Sequence, residues 1–133
     1  MRKQLYINKE FLKKLEIEDV IFDEHGPYMI KRMTCKGPRT VMRYSVTTKH
    51  KYGKDLTYYY FALYYSGRKY NVPAADIAFL LYHPDYDCIP YGYEVDHIDN
   101  DPLNNNPDNL QLLTHAENIR KRPVACNQYR YIK

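Results

Sequence analysis

The chain has 133 residues, 44% hydrophobic and 27% charged, which suits one domain, or a compact module with a short appendage, and excludes a large multi-domain machine. No apolar run approaches the roughly 20 residues of a membrane span, and Met1-Arg2-Lys3-Gln4 leads into mixed charge rather than a signal-peptide core, so a soluble intracellular protein is expected. Three cysteines, Cys35, Cys88 and Cys126, lie far apart with no Cys-x-x-Cys pair, which suggests neither a disulfide framework nor a thiolate zinc site.

The net charge of +4 divides unevenly along the chain. Residues 1–70 carry 15 Lys and Arg against 7 Asp and Glu, residues 71–119 carry none against 9, and residues 120–133 carry 5 against none. Basic flanks around an acidic centre are the pattern of a polyanion-binding protein whose acidic core is neutralised by a cation; Asp and Asn crowding one long loop would give the same counts. The 16 tyrosines and the absence of tryptophan point mostly to sheet packing, with stacking on bases as a further use of Tyr.

In chain order, Asn8 is a candidate cap for a short helix with Phe11, Leu12 and Leu15 on one face, ending near Asp19. From Val20 to Val72 the chain reads as strands, Val20–Phe22, Tyr28–Met33, Thr40–Thr47 and Leu56–Tyr65, with turns at His25-Gly26-Pro27, Lys36-Gly37-Pro38 and Tyr52-Gly53. Ser66-Gly67 offers a tight hairpin into Arg68–Val72. The continuous apolar run Tyr58–Tyr65 calls for a covering helix on one face. Pro73 suits the first turn of a helix whose apolar stripe is Ile77, Ala78, Leu80 and Leu81, and Pro84 stops it after Tyr82. Tyr93–Ile98 reads as a strand, residues 99–108 as a loop of turn formers, and Asn109–Leu113 as a second strand. Thr114-His115-Ala116-Glu117 has the form of a capping box opening a last helix that Pro123 limits.

Val95-Asp96-His97-Ile98-Asp99, Leu103-Asn104-Asn105, Asn109-Leu110, Thr114 and Glu117-Asn118 together resemble the His-Asn-His (HNH) endonucleases of the ββα-metal fold, in particular the phage and intron-associated homing branch. The resemblance covers about 30 of the 133 residues, with a weaker likeness from about Tyr58 to Tyr82. It implies an α+β chain in which a ββα-metal core at 93–122 follows a β-rich region with one or two short helices. The corresponding division is a β-rich N-terminal region at 1–57, an HNH nuclease domain at 58–122 and a basic tail at 123–133.

The residues support the same chemistry. A neutral imidazole on a strand can take the proton of a water that attacks phosphorus, which makes His97 the candidate general base. Asp96 and Asn118 offer two hard oxygen ligands with one negative charge, suited to one divalent ion, Mg²⁺ first and Mn²⁺ second, that keeps waters and binds phosphate oxygens. Consecutive Asp96 and His97 reach one site if strand-end twist or a bulge brings them together. The resemblance gives these positions the same roles and makes Asn109 a brace, its amide bonding backbone across the loop. The catalytic set is therefore His97, Asp96, Asn118 and Asn109.

Arg120, Lys121 and Arg122, with Arg68 and Lys69, are candidate phosphate contacts. Asp99 and Asp101 read as loop acceptors; an EF-hand is excluded because Leu103 takes a ligand position and the loop lacks Gly. His115 reads as an exposed helix-start residue, and His25, His50 and His83 as structural or solvated. Asn100 stands where the family commonly has Gly, a position Asn tolerates, and Asn106 replaces a frequently basic residue. The expected activity is metal-dependent cleavage of double-stranded DNA by a monomer or homodimer in the cytoplasm of a bacterium or phage-infected cell, one site nicking one strand. The alternatives are a DNA-binding module without catalysis and a non-specific or RNA-directed nuclease.

Overall fold

The computed structural model describes residues 9–49, 51 and 53–121. Asn8, His50, Arg122, Cys126 and the basic tail lie outside the described residues.

Helix α1 spans Lys9–Lys14 and buries Phe11 and Leu12. It ends well before Asp19, where the sequence pattern placed its end. Glu16 turns to φ 50, and strand β1 (Ile17–Asp23) begins one residue later. The carbonyl of Glu16 is taken up by the Met33 N–H of the next strand, so a sheet contact replaces the next helical turn.

Strands β1, β2 (Gly26–Thr34) and β3 (Gly37–Met42) form one antiparallel sheet in that order. Strands β4 (Tyr44–Thr48), β5 (Leu56–Tyr65) and β6 (Arg68–Pro73) form a second. Thr40–Thr47, expected as one strand, is thus two strands in different sheets, and the chain crosses between them at Arg43. The Arg43 guanidinium bonds both carboxylate oxygens of Asp23, at 3.1 and 2.9 Å, and lies 4.0 Å above the ring of Tyr59, tying the sheets together.

Helix α2 (Ala74–Tyr82) follows β6 directly. Pro73 enters it with φ −60, the angle its ring imposes, and Pro84 keeps His83 out of helical geometry. Ala74, Ala75, Ile77, Ala78, Phe79 and Leu80 are all buried, because α2 packs against β2, β5 and β6 on one side and the C-terminal strands on the other. It covers Phe61 and Leu63 of the apolar run in β5, and Leu15, Ile30 and Val72 complete the same core.

Strand β7 (Tyr93–His97) pairs antiparallel with β8 (Leu110–Thr114), joined by a loop that closes in a 3-10 turn at Pro107–Asn109. Helix α3 (His115–Lys121) packs back on both strands. The chain is α+β and mostly strand, with a strand, loop, strand, helix order over the expected core. No helix among the described residues is long and apolar enough to cross a membrane.

Ring contacts hold several of the described tyrosines. Tyr65 and Tyr70 meet Phe11 edge-on, Tyr82 meets Phe22, and Tyr44 lies against Tyr60.

Candidate active site

The register of β7 on β8 is regular from Tyr93 to His97, with no bulge. Side chains therefore alternate: Glu94 and Asp96 turn to the α3 side, and His97 to the loop side. Asp96 is buried, faces Gln111 across the hairpin and accepts its side-chain N–H at 2.9 Å.

Thr114 and Glu117 close a complete capping box, with the Glu117 carboxylate accepting the Thr114 N–H at 2.8 Å and the Thr114 hydroxyl accepting the Glu117 N–H at 3.2 Å. These bonds hold the Glu117 carboxyl below its ordinary range. With its first turn fixed in this way, α3 sets His115, Asn118 and Lys121 at three-residue intervals over the Glu94/Asp96 face.

Asn118 donates its amide N–H to Glu94 rather than meeting Asp96, and His115 Nδ1 lies 2.9 Å from the other Glu94 oxygen. Lys121, a candidate phosphate contact in the sequence, is instead turned inward, because three oxygens of β7 and its loop draw its ammonium. Its ammonium lies 3.1 Å from Asp96 Oδ2, 2.9 Å from the His97 carbonyl and 2.5 Å from Asn100 Oδ1. Glu94 was not singled out in the sequence, although its place two residues before Asp96 on a strand was the available signal.

The loop is held by its own side chains. Asn109 Oδ1 accepts the Asp99 N–H at 3.1 Å, while its Nδ2 donates to the Asn104 carbonyl and to Asp99, both at 2.9 Å. The Asn104 amide, the Asp101 N–H and the Asn109 amide keep the Asp99 carboxyl below its ordinary value of 3.8, against an opposing push from burial. Asn100 takes φ 64, the left-handed angle that asparagine tolerates. His97 Nε2 lies 2.7 Å from Oδ1 of Asn105, which is 1% exposed.

Arg120 is exposed on α3. Arg68 and Lys69 are exposed at the turn end of β6, whereas its Pro73 end leads into α2 and toward the hairpin.

Among the described residues no three His, Cys, Asp or Glu side chains gather to hold a metal ion. The oxygens around the Lys121 ammonium nevertheless show that this corner accommodates a cation. Glu94 and Asp96 share one face of β7, and Glu94 holds the Asn118 amide; a hard divalent ion held at Asp96 would draw most of its ligands from water and phosphate.

Residues 77–120, from the middle of α2 to the end of α3, match a family model. The matching family is described as HNH endonuclease, and the match spans about a third of the chain. No curated protein and no solved structure gives a match. HNH nucleases generally use a divalent metal.

Proposed function

We propose that the protein is a metal-dependent HNH endonuclease of the phage homing or nicking type, hydrolysing phosphodiester bonds in double-stranded DNA in the cytoplasm. The observation that carries this reading is the end of β7, where a buried carboxylate already paired with a cation adjoins a hydrogen-bonded histidine, inside the segment that matches the HNH family.

A phosphodiester laid across the end of β7 meets Asp96 from one side of the strand and His97 from the other. His97 takes a proton from the attacking water as the new P–O bond forms, and the P–O bond to the departing 3′-oxygen breaks. Asp96 and Asn118 hold the divalent ion, Mg²⁺ by preference and Mn²⁺ as the substitute. When bound, that ion supplies positive charge beside the phosphate and the departing oxygen. Asn109 braces the loop between the two strands. Arg120 of α3, Arg68 and Lys69 of β6, and Arg122 contact backbone phosphates, and the basic residues within 1–57 and 123–133 add positive charge that favours DNA. One such site cuts one strand, so a monomer nicks and double-strand cleavage requires two copies.

The Lys121–Asp96 pair favours one other reading, DNA binding without cleavage, since it leaves the carboxylate neutralised by the chain itself. Supercoiled plasmid incubated with Mg²⁺ or Mn²⁺ separates the two. The endonuclease converts it to nicked circles, whereas His97→Ala forms none and still retards DNA in a gel. Absence of nicking by the unmodified protein with either ion overturns the proposal in favour of the binding module.

A further inference from the structure

Residues 23–26, the turn between β1 and β2, lie far from the hairpin in sequence but against its loop in space. The Asn105 N–H donates to the His25 carbonyl at 2.8 Å, and the Asn106 amide donates to the Glu24 carbonyl at 2.7 Å. Gly26, at φ 103, comes so close that a Cβ there would stand 2.5 Å from the Asn105 carbonyl oxygen and 2.7 Å from its Cβ. Only a residue without a side chain permits that approach. The turn itself is braced from behind: the His25 N–H bonds Asp23 Oδ1 at 2.8 Å, and Arg43 grips both oxygens of Asp23.

Asn105 is buried in this clamp with an uneven set of partners. Its Oδ1 meets His97 Nε2 at 2.7 Å, while its Nδ2 has no partner. A buried amide present for stability alone is ordinarily satisfied on both sides. The half of the amide that is paired is the half that faces the imidazole. A carbonyl oxygen can only accept, so this contact calls for a proton on Nε2, which in the neutral ring leaves the lone pair on Nδ1.

Resting on the nuclease reading, we propose that Asn105 is a positioning residue, held by the β1–β2 turn, that fixes His97 in the Nε2–H tautomer with Nδ1 as the proton-accepting atom. The N-terminal sheet is on this view part of the catalytic apparatus, whatever it also contributes to DNA contact.

Two measurements on the full-length protein test it. In ¹⁵N-labelled, metal-free protein, long-range ¹H–¹⁵N correlation identifies the protonated nitrogen of neutral His97. Nε2–H is expected in the unmodified chain, a mixture of tautomers in Asn105→Ala, and Nε2–H again in Asn105→Asp, which restores an accepting oxygen. In plasmid nicking, Asn105→Ala and Gly26→Ala should each lower kcat roughly tenfold to a hundredfold with KM for DNA little changed, as expected for a displaced reacting group. Asn105→Asp should recover part of that loss, and it keeps the test decisive if Gly26→Ala does not fold. An Nδ1–H tautomer in the unmodified chain, or an unaltered tautomer and kcat in Asn105→Ala, overturns the proposal. If the unmodified protein nicks nothing, the nuclease reading falls, and the tautomer measurement still decides what Asn105 does.

Discussion

Lys121 Nζ lies 3.1 Å from Asp96 Oδ2, so the carboxylate proposed to hold a divalent ion is paired with an ammonium from the last turn of the helix that closes the site. The side chains are largely shielded, at 25% and 9% exposure, so solvent screens the pair only in part. Lys121 also bonds the His97 carbonyl, which places one positive charge against the backbone of the proposed base and the side chain of the proposed ligand.

A divalent ion at Asp96 must compete with that ammonium. Lys121→Met removes the competitor while keeping an apolar stem of similar length. A charge-assisted contact of this kind is worth about 1–2 kcal/mol, so Mn²⁺ should bind the variant roughly five- to thirtyfold more tightly. Calorimetric titration of Mn²⁺ into the DNA-free protein measures this, with Asp96→Ala as the control expected to lose binding. Equal affinity in Lys121→Met and the unmodified chain would show that the ion does not use the oxygen Lys121 occupies.

The capping box should matter more for the site than its exposed position suggests. The seven described residues of helix α3 are too few to hold their shape without tertiary support, and Thr114 fixes the first turn. Thr114→Ala should cost about 1 kcal/mol, a fall in Tm of about 3 °C. Because Asn118 and Lys121 depend on the direction of the helix, the same variant should also need more Mg²⁺ for half-maximal nicking. A normal metal requirement alongside the lowered Tm would confine the cap to a structural role.

What could be read from the sequence depended on range. The β7 and β8 strands, the loop between them and the start of α3 follow from alternation, turn formers and a capping box, each contained within a few residues. Helix α2 was bounded by two prolines for the same reason. The misjudged elements turn on distant partners. Helix α1 stops early because Glu16 joins β2, and Thr40–Thr47 divides at Arg43 because that side chain reaches back to Asp23 and across to Tyr59. Arg32 gave no local sign of burial, yet it is 8% exposed and donates to the carbonyls of Leu15 and Tyr64, bridging the end of α1 and the second sheet. At the site, the motif residues were legible one by one. The inward turn of Lys121, the pairing of Asn118 with Glu94 and the docking of residues 24–26 on Asn105 and Asn106 were not, because no spacing rule links residues that far apart.

The Asp23–Arg43 pair supports the turn that carries Asn105, and its pH dependence has a definite sign. Burial pushes the Asp23 carboxyl up, but the His25 N–H and the Arg43 guanidinium together outweigh it and hold the group below its ordinary value of 3.8. A carboxyl depressed by folding binds its proton more readily in the unfolded chain. Its stabilisation is therefore fully present above the ordinary value and is lost as pH falls through the lower, folded value. Asp23→Asn should lower Tm at about pH 7, and the gap to the unmodified protein should close as the pH falls below the ordinary carboxylate range. Thermal melts of both proteins across that range give the measurement. A gap that stays constant to the acid end would mean that the carboxylate charge contributes nothing and that Asp23 serves only as a neutral acceptor for the turn.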